Sequence, residues 1–195
     1  MDFKILQEKK LLLGVSGAIS AVGISSYLLY FKNYFKEIRV IMTKNAADLI
    51  PSNTVSYFCD HVYSEDSETK KHNHVEIARW ADVFCVLPAT ANTVGQVANG
   101  IALNLLTTSI LAHPNPTIFF PSMNELMWEK KALNRNLDLL IQDGHMVIPP
   151  TTIMAYEVSS GSRKPNRVIV PPDKALNEIL EILHMREEKH LVSKS

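Results

Sequence analysis

Short apolar runs recur along this chain, and most are followed by a segment whose apolar residues return at helical spacing. Leu11–Val15, Glu37–Met42, Val83–Leu87, Thr117–Phe120 and His145–Ile148 read as strands, several of them apolar enough to be buried on both faces, and Val62-Tyr63 reads as a further short one. Helices are predicted between them. Ala18–Tyr34 repeats Ile24, Leu28, Phe31 and Phe35 at helical intervals, Asn45–Ile50 is stopped by Pro51, and His74–Ala81, Val94–Ala112 and Leu126–Asp143 follow, the last closed by Gly144. Such alternation predicts an α/β fold, a doubly wound parallel sheet of Rossmann or flavodoxin-like type with helices on both faces. With 195 residues, 46% of them hydrophobic, the chain has material for one ample core, so residues 1–195 are read as a single domain.

Two stretches stand outside that pattern. Ser64–Asn73 is polar and reads as a flexible, solvated loop, whereas Thr151–Pro172 is long, holds the pairs Pro149-Pro150 and Pro171-Pro172 at its borders and shows no clear periodicity. Long segments of this kind in compact domains are commonly lids or binding elements, so 151–172 is expected to be a loop covering a substrate. Asp173–Glu188 is a closing amphipathic helix, and 189–195 is expected to fray.

Composition excludes several function classes. Twenty basic and twenty acidic residues cancel, and no cluster of Lys and Arg marks a nucleic-acid face. Leu11 to Phe31 is uncharged and follows Lys9-Lys10, which imitates a membrane span, yet Gly14, Ser16, Gly17, Ser20, Gly23, Ser25 and Ser26 interrupt it. A buried strand, turn and helix account for it better, and no membrane association is expected. Cys59 and Cys85 have neither metal-ligand spacing nor the number of a disulfide framework, so no metal is expected and a reducing cytoplasm suits the chain.

Polar residues gather where strands end. Gly14-Val-Ser-Gly-Ala-Ile-Ser20 joins the first strand to the first helix, so free N–H groups, the helix dipole and the hydroxyls of Ser16 and Ser20 suit a phosphate; the same composition also serves a plain turn. A nicotinamide site is disfavoured, because it calls for G-x-G-x-x-G here and an acidic residue closing the second strand. That strand runs instead into Thr43-Lys44-Asn45. Pro88-Ala-Thr-Ala-Asn-Thr93 follows the apolar run at Val83, and either starts a helix with Thr93 as N-cap or faces a ligand, or does both. Pro121-Ser-Met-Asn-Glu-Leu-Met-Trp128 follows the next run. His74 opens a short helix after a polar loop that also holds His72, and by residue type alone it reads as a solvated histidine.

Taken together, these segments resemble the homo-oligomeric flavin-containing cysteine decarboxylases, from about Leu11 to Pro150. Pro121, Met123, Asn124, Met127 and Trp128 match that family's Pro-x-Met-Asn-x-x-Met-Trp motif, and His74-Val-Glu-Ile matches the start of its catalytic helix; His72 does not. The resemblance implies His74 and Asn124 as catalytic residues and Asn124 with Met127 as substrate contacts, Met127 serving equally well as a packed wall and Trp128 being structural. It implies Ser16, Gly17, Ser20, Thr43, Pro88, Ala89, Thr90, Asn92, Thr93 and Met123 as cofactor contacts. Asn124 offers amide donors that hold a carboxylate without a full positive charge, which leaves it free to depart as carbon dioxide. His74 would assist loss of a thiol proton, since free cysteine is little ionised near neutral pH.

Within the family, two outcomes compete. Phosphopantothenoylcysteine decarboxylases of coenzyme A biosynthesis use a cysteine in the late, substrate-covering segment to return electrons and give a saturated thiol. This chain has no cysteine after Cys85, and offers Ile153-Met-Ala-Tyr-Glu157 in place of their Gly-x-Met-x-Glu pattern. The resemblance therefore leans to the mersacidin-type lantibiotic decarboxylases, which oxidatively decarboxylate the C-terminal cysteine of a precursor peptide to an enethiol on the way to an aminovinyl-cysteine ring. It implies FAD, with FMN the alternative, and a homotrimer assembling into a dodecamer, with Gly100 and Asn104–Thr108 resembling a trimer-interface helix where ordinary helix packing also suffices. Flavin prenyltransferases lack this His and Met-Asn pair. A non-catalytic flavin-binding regulatory subunit is a reading of another class, disfavoured because this chain has neither a long acidic tail nor a lost catalytic residue.

Overall fold

The computed structural model describes residues 3–64, 73–157 and 161–192. Five of its strands are β1 (Lys10–Val15), β2 (Glu37–Met42), β3 (His61–Ser64), β4 (Val83–Ala89) and β5 (Ile118–Pro121), and with the two-residue β6 (Met146–Val147) they form one parallel sheet in the order β3-β2-β1-β4-β5-β6. Leu11, Leu13 and Val15 enter the core on one face of the sheet while Leu12 enters the core on the other, and β4 is buried along its whole length. A strand buried on both faces needs helices on both, and it has them.

One face carries α1 (Ile24–Phe31), α2 (Lys44–Leu49), α3 (Ser52–Val55) and the closing α9 (Pro172–Val192). The other carries α4 (His74–Trp80), α5 (Ala91–Ala98), α6 (Leu105–Ala112) and α8 (Lys131–Gln142), with the four-residue α7 (Glu125–Trp128) at its rim. With helices on opposite faces, the strand order reverses between β1 and β4, and that topological switch point opens a crevice at the carboxyl ends of the strands.

Three predicted helices are broken, each for a local reason. The segment Ala18–Tyr34 begins as a 3-10 turn over Ile19–Gly23 and becomes α1 only at Ile24, where the first buried residue of the stripe lies. The segment Val94–Ala112 divides at 99–104: Gly100, at φ +65°, donates its N–H to Val97 at 3.0 Å and ends α5, and Asn104 with Thr107 forms a capping box that starts α6. Leu126–Asp143 divides where Lys130 adopts extended backbone between α7 and α8. Short helices also form at Ser52–Val55 and, as a 3-10 turn, at Phe3–Glu8, where no apolar stripe announces them.

The largest departure lies in 151–172, which is not an irregular loop. It holds β7 (Thr151–Glu157) and β8 (Ser162–Val168), an antiparallel hairpin in register from Thr151 opposite Val168 to Glu157 opposite Ser162. Ile153, Met154 and Tyr156 are exposed, so neither face is buried well enough to impose the alternation by which a strand is recognised. α9 starts at Pro172, a favoured first helical position, and runs to Val192 through residues expected to fray. Residues 65–72 of the predicted polar loop, with His72, and residues 193–195 of the tail lie outside the described residues.

Candidate functional site

A cavity of about 720 Å³ occupies the switch point, within the size range of cofactor and ligand pockets. Its walls come from the ends of four strands and from the hairpin: Ser16 to Ser20 after β1, Thr43 to Asn45 after β2, Thr90 to Thr93 after β4, Ser122 to Asn124 after β5, with Arg167 to Ile169 closing one side.

Ser16 was expected to donate a hydroxyl to a ligand, and its geometry assigns it other work. Its Oγ donates to the carbonyl of Pro88 at 2.8 Å and accepts the N–H of Thr90 at 2.9 Å, and the side chain is 1% exposed. Ser16 therefore ties β1 to β4 across the switch point, and its one proton is committed. Pro88 and Ala89, unlike Ser16, do not line the cavity. Both are buried in β4, where the Pro88 carbonyl also accepts the N–H of Ser16 and the Ala89 carbonyl accepts that of Ser122, so they hold the floor together.

Gly17 has a steric reason to be glycine, since a Cβ there would collide with the Cβ and backbone of Asn45. The loops after β1 and β2 consequently lie against each other. Ser20 Oγ meets Ser122 Oγ at 2.7 Å, joining the first loop to the segment after β5. The leading N–H groups of the Ile19–Gly23 turn have no acceptor within their own helix, and they stand on the cavity wall with Ser20 and Thr43.

Thr43 is the N-cap of α2, accepting the N–H of Ala46 at 3.3 Å. Thr90, not Thr93, is the N-cap of α5: its Oγ1 accepts the N–H of Thr93 at 3.2 Å, and the two hydroxyls lie 3.0 Å apart. Two cations reach the wall, and each meets a carboxylate: Lys44 Nζ lies 3.1 Å from Asp48, and Arg167 Nε donates to both oxygens of Glu125 at 2.9 and 2.8 Å.

Asn124 caps α7. Its Oδ1 accepts the N–H of Met127 at 2.8 Å, so the oxygen is fixed toward the helix and the amide NH₂, a pure donor, remains for the cavity that the residue lines. Met123 and the 41%-exposed Met127 line the cavity too, while Trp128 is partly buried against the core beneath.

His74 is not brought to this cavity within the chain. It is the first residue of α4, half-buried, behind Asn73, whose side chain caps the helix through Val75 and Glu76 at 3.0 and 3.3 Å. His113 and His145 serve the scaffold, with Nδ1 atoms against the Ala78 carbonyl at 2.8 Å and the Thr117 N–H at 3.0 Å, and burial lowers the pKa of both. Burial pushes the Cys59 thiol up to about 11 and the Cys85 thiol up as well, so neither is a nucleophile near neutral pH. Among the described residues no His, Cys, Asp and Glu cluster could hold a metal, and no helix is long and apolar enough to cross a membrane.

Several wall residues were not among the expected site residues, the polar Lys44, Asn104, Ser122 and Arg167 among them. Asn104 was recoverable, because Asn-x-x-Thr before an apolar run is a capping signal. Arg167 was not, since nothing local says that the hairpin folds back over the strand ends.

A family model described as Flavoprotein matches residues 4–173. The chain belongs to that family. This flavoprotein is 64% identical over 177 residues to mersacidin decarboxylase of Bacillus sp. strain HIL-Y85/54728, covering 90% of this chain and 91% of the relative. The solved structure of MrsD from that strain superposes with a TM-score of 0.84 at 59% identity, over 91% of this chain and 98% of MrsD. An EpiD variant complexed with the substrate peptide DSYTC gives a TM-score of 0.84 at 32% identity, over 89% and 99% of the two chains. The FMN-dependent cysteine decarboxylase SpaF gives 0.71 at 36% identity, over 81% and 90%.

Proposed function

We propose that this flavoprotein, one domain with its hairpin as substrate cover, oxidatively decarboxylates the C-terminal cysteine of a lantibiotic precursor peptide, removing carbon dioxide and two hydrogens and releasing an enethiol. The observation that carries this is the oriented amide of Asn124. With Oδ1 engaged by Met127 N–H, Asn124 can present only N–H donors to the cavity, the right chemistry for a terminal carboxylate. The 64% likeness to mersacidin decarboxylase supports the same substrate class.

The residues present fit a flavin. Neutral donors, namely the N–H groups at the start of the Ile19–Gly23 turn, Ser20 and the Thr43 hydroxyl, converge at one end of the cavity and suit a phosphate, while Thr90, Asn92 and Thr93 stand along the next strand end, where a ribityl chain would run. Ser16, Gly17 and Asn45 line that end with them, and Pro88 and Ala89 hold its floor from within β4. When bound, the flavin supplies a two-electron acceptor for the hydride leaving Cβ of the cysteine. We take it to be FAD, as the resemblance drawn from the sequence implies, with FMN, on which SpaF depends, as the alternative. Releasing the chromophore and identifying it by chromatography decides between them.

Asn124 Nδ2 holds the carboxylate without neutralising it, so the group can leave once the neighbouring carbon carries a C=S bond to receive its electron pair. His74 takes the proton from Sγ and can return one to the enethiolate. Because His74 lies off the cavity of its own chain, it is assigned to the site of a neighbouring subunit in a homotrimer, which in turn builds a dodecamer. Apolar residues of the 99–104 linker, Ile101 at 44% and Leu103 at 75% exposure, flank the wall residue Asn104 and support a covered face there. A cytoplasmic setting suits the two free thiols. Formation of a saturated thiol, as in phosphopantothenoylcysteine decarboxylases, is disfavoured because residues 151–192 contain no cysteine.

Mixing two inactive variants tests the scheme. Refolded or co-expressed His74→Asn and Asn124→Asp chains should recover about a quarter of parental turnover, since about one site in four then combines an intact His74 with an intact Asn124 from the other chain. No recovery in verified mixed oligomers would place both residues in one subunit's site and refute the assignment. A colourless protein that takes up no flavin nucleotide would refute the function itself.

A further inference from the structure

β7 and β8 pair with each other and with no strand of the main sheet. Beside the cavity, Arg167 meets the body. Its Nε donates to both oxygens of Glu125, and its guanidinium carbon lies 5.2 Å from the centre of the Trp128 ring. Both partners belong to α7, the helix that Asn124 caps, so the side chain that fastens the hairpin and the side chain that meets the substrate carboxylate share one short helix. Glu125 has a second effect. Arg167 lines the cavity, and a guanidinium left without an acid there would compete with Asn124 for a peptide carboxylate and hold it too firmly to leave.

We propose that the Arg167–Glu125 ion pair, backed by Trp128, is a latch that closes the hairpin onto α7 and fixes the place from which Asn124 engages the peptide. Arg167 and Glu125 are positioning residues, and the proposal rests on the peptide-decarboxylase function above. The side chains are 30% and 41% exposed, so solvent screens the pair; with the ring contact it favours the closed hairpin by about fivefold to tenfold. A latch of that strength orders the cover and still releases it for peptide entry.

The test uses flavin-loaded full-length protein in four forms: the parent, Glu125→Gln, Arg167→Gln and the charge exchange Glu125→Arg with Arg167→Glu. Amide hydrogen exchange along β7 and β8, measured without peptide, should quicken about fivefold in each single variant and return to within about twofold of the parent in the exchange. With a peptide ending in cysteine, Arg167→Gln, which opens the latch and frees no guanidinium, should raise KM about fivefold and move kcat far less. Glu125→Gln should lower kcat as well, because the freed guanidinium grips the carboxylate, and the charge exchange should reverse most of the hairpin effect. Single variants that exchange hydrogen like the parent, or a charge exchange as impaired as the two losses combined, would overturn the latch. Were the parent unable to process any such peptide while hairpin exchange still responded as stated, the assigned reaction would fall and the latch would stand.

Discussion

Replacing Asn124 with aspartate separates the two tasks of one side chain. Aspartate keeps an oxygen for the Met127 N–H at 2.8 Å and is as good an N-cap as asparagine, so the fold should change by less than about 0.5 kcal/mol. Toward the substrate everything reverses. A donor to a carboxylate, worth about 1.5–3 kcal/mol, becomes an acceptor, and two like charges about 4 Å apart repel by about 4 kcal/mol at an effective dielectric near 20. Repulsion cannot grow without limit, because the introduced carboxyl can take up a proton instead, at a cost of about 1.4 kcal/mol for each pH unit above its ordinary value near 3.9. At pH 7 that ceiling is itself about 4 kcal/mol. The expected loss in kcat/KM is therefore at least about a thousandfold, with the melting temperature nearly unchanged.

The same reasoning gives the pH dependence its sign. Protonation of the introduced aspartate removes the repulsion, so the deficit relative to the parent should shrink by up to about tenfold for each unit by which pH falls toward 5. Peptide mass spectrometry, following loss of carbon dioxide plus two hydrogens at several pH values, measures both quantities. Parental kcat/KM at pH 8 would refute the role of the amide as carboxylate donor, and so would a deficit that deepens as pH falls. A melting temperature lowered along with activity would mean that the cap, and not the donor, had been lost.

Ser16→Ala should act the other way, on the fold first: it leaves the Thr90 N–H without its partner and the Pro88 carbonyl with only the backbone N–H of residue 16, costing about 1–3 kcal/mol, read as a drop of several degrees in the thermal melt of the flavin-free protein. Gly17→Ala drives a Cβ into Asn45, so the loops after β1 and β2 must part, and the purified protein should carry visibly less flavin by absorbance. Cys59, its thiol pushed up to about 11 by burial, should react with alkylating reagents at pH 8 at least tenfold more slowly than free cysteine, and Cys59→Ser with intact turnover would agree with its absence from the cavity.

The parallel sheet was legible because its strands are written in the plainest code available: β1 and β4 are apolar almost throughout, which a strand exposed on one face would not be. Helix breaks were legible only in part. Periodicity carried straight through 99–104 because Ile101 and Leu103 look like core residues and are exposed, while the signals that mattered, Gly100 and the Asn104–Thr107 box, are local and stereochemical. The hairpin gave no signal, since its order comes from pairing between residues 17 positions apart at its base and not from an apolar face. Among site residues, those at strand ends could be placed from the sequence; the inward task of Ser16, Pro88 and Ala89 was not legible, because whether a hydroxyl or carbonyl faces ligand or neighbour depends on contacts distant in the chain.

Helix capping explains why so much of the site could be read without knowing the chemistry. Thr43, Thr90, Asn104 and Asn124 all line the cavity, and each is the N-cap of the helix that leaves it. A capping oxygen is engaged by its own helix, so what such residues offer outward is weighted toward donors: the hydroxyl proton of Thr43 and the amide N–H groups of the asparagines, while Thr90 shares its hydroxyl with Thr93. A crevice ringed by N-caps is therefore donor-rich without being charged, and it suits phosphate at one end and carboxylate at the other. The two cations that do reach the wall meet Asp48 and Glu125. Stability and specificity are thus coupled at the same atoms, and substitutions that keep the cap while reversing its outward polarity, such as Asn124→Asp, are the ones that disable the site and spare the fold.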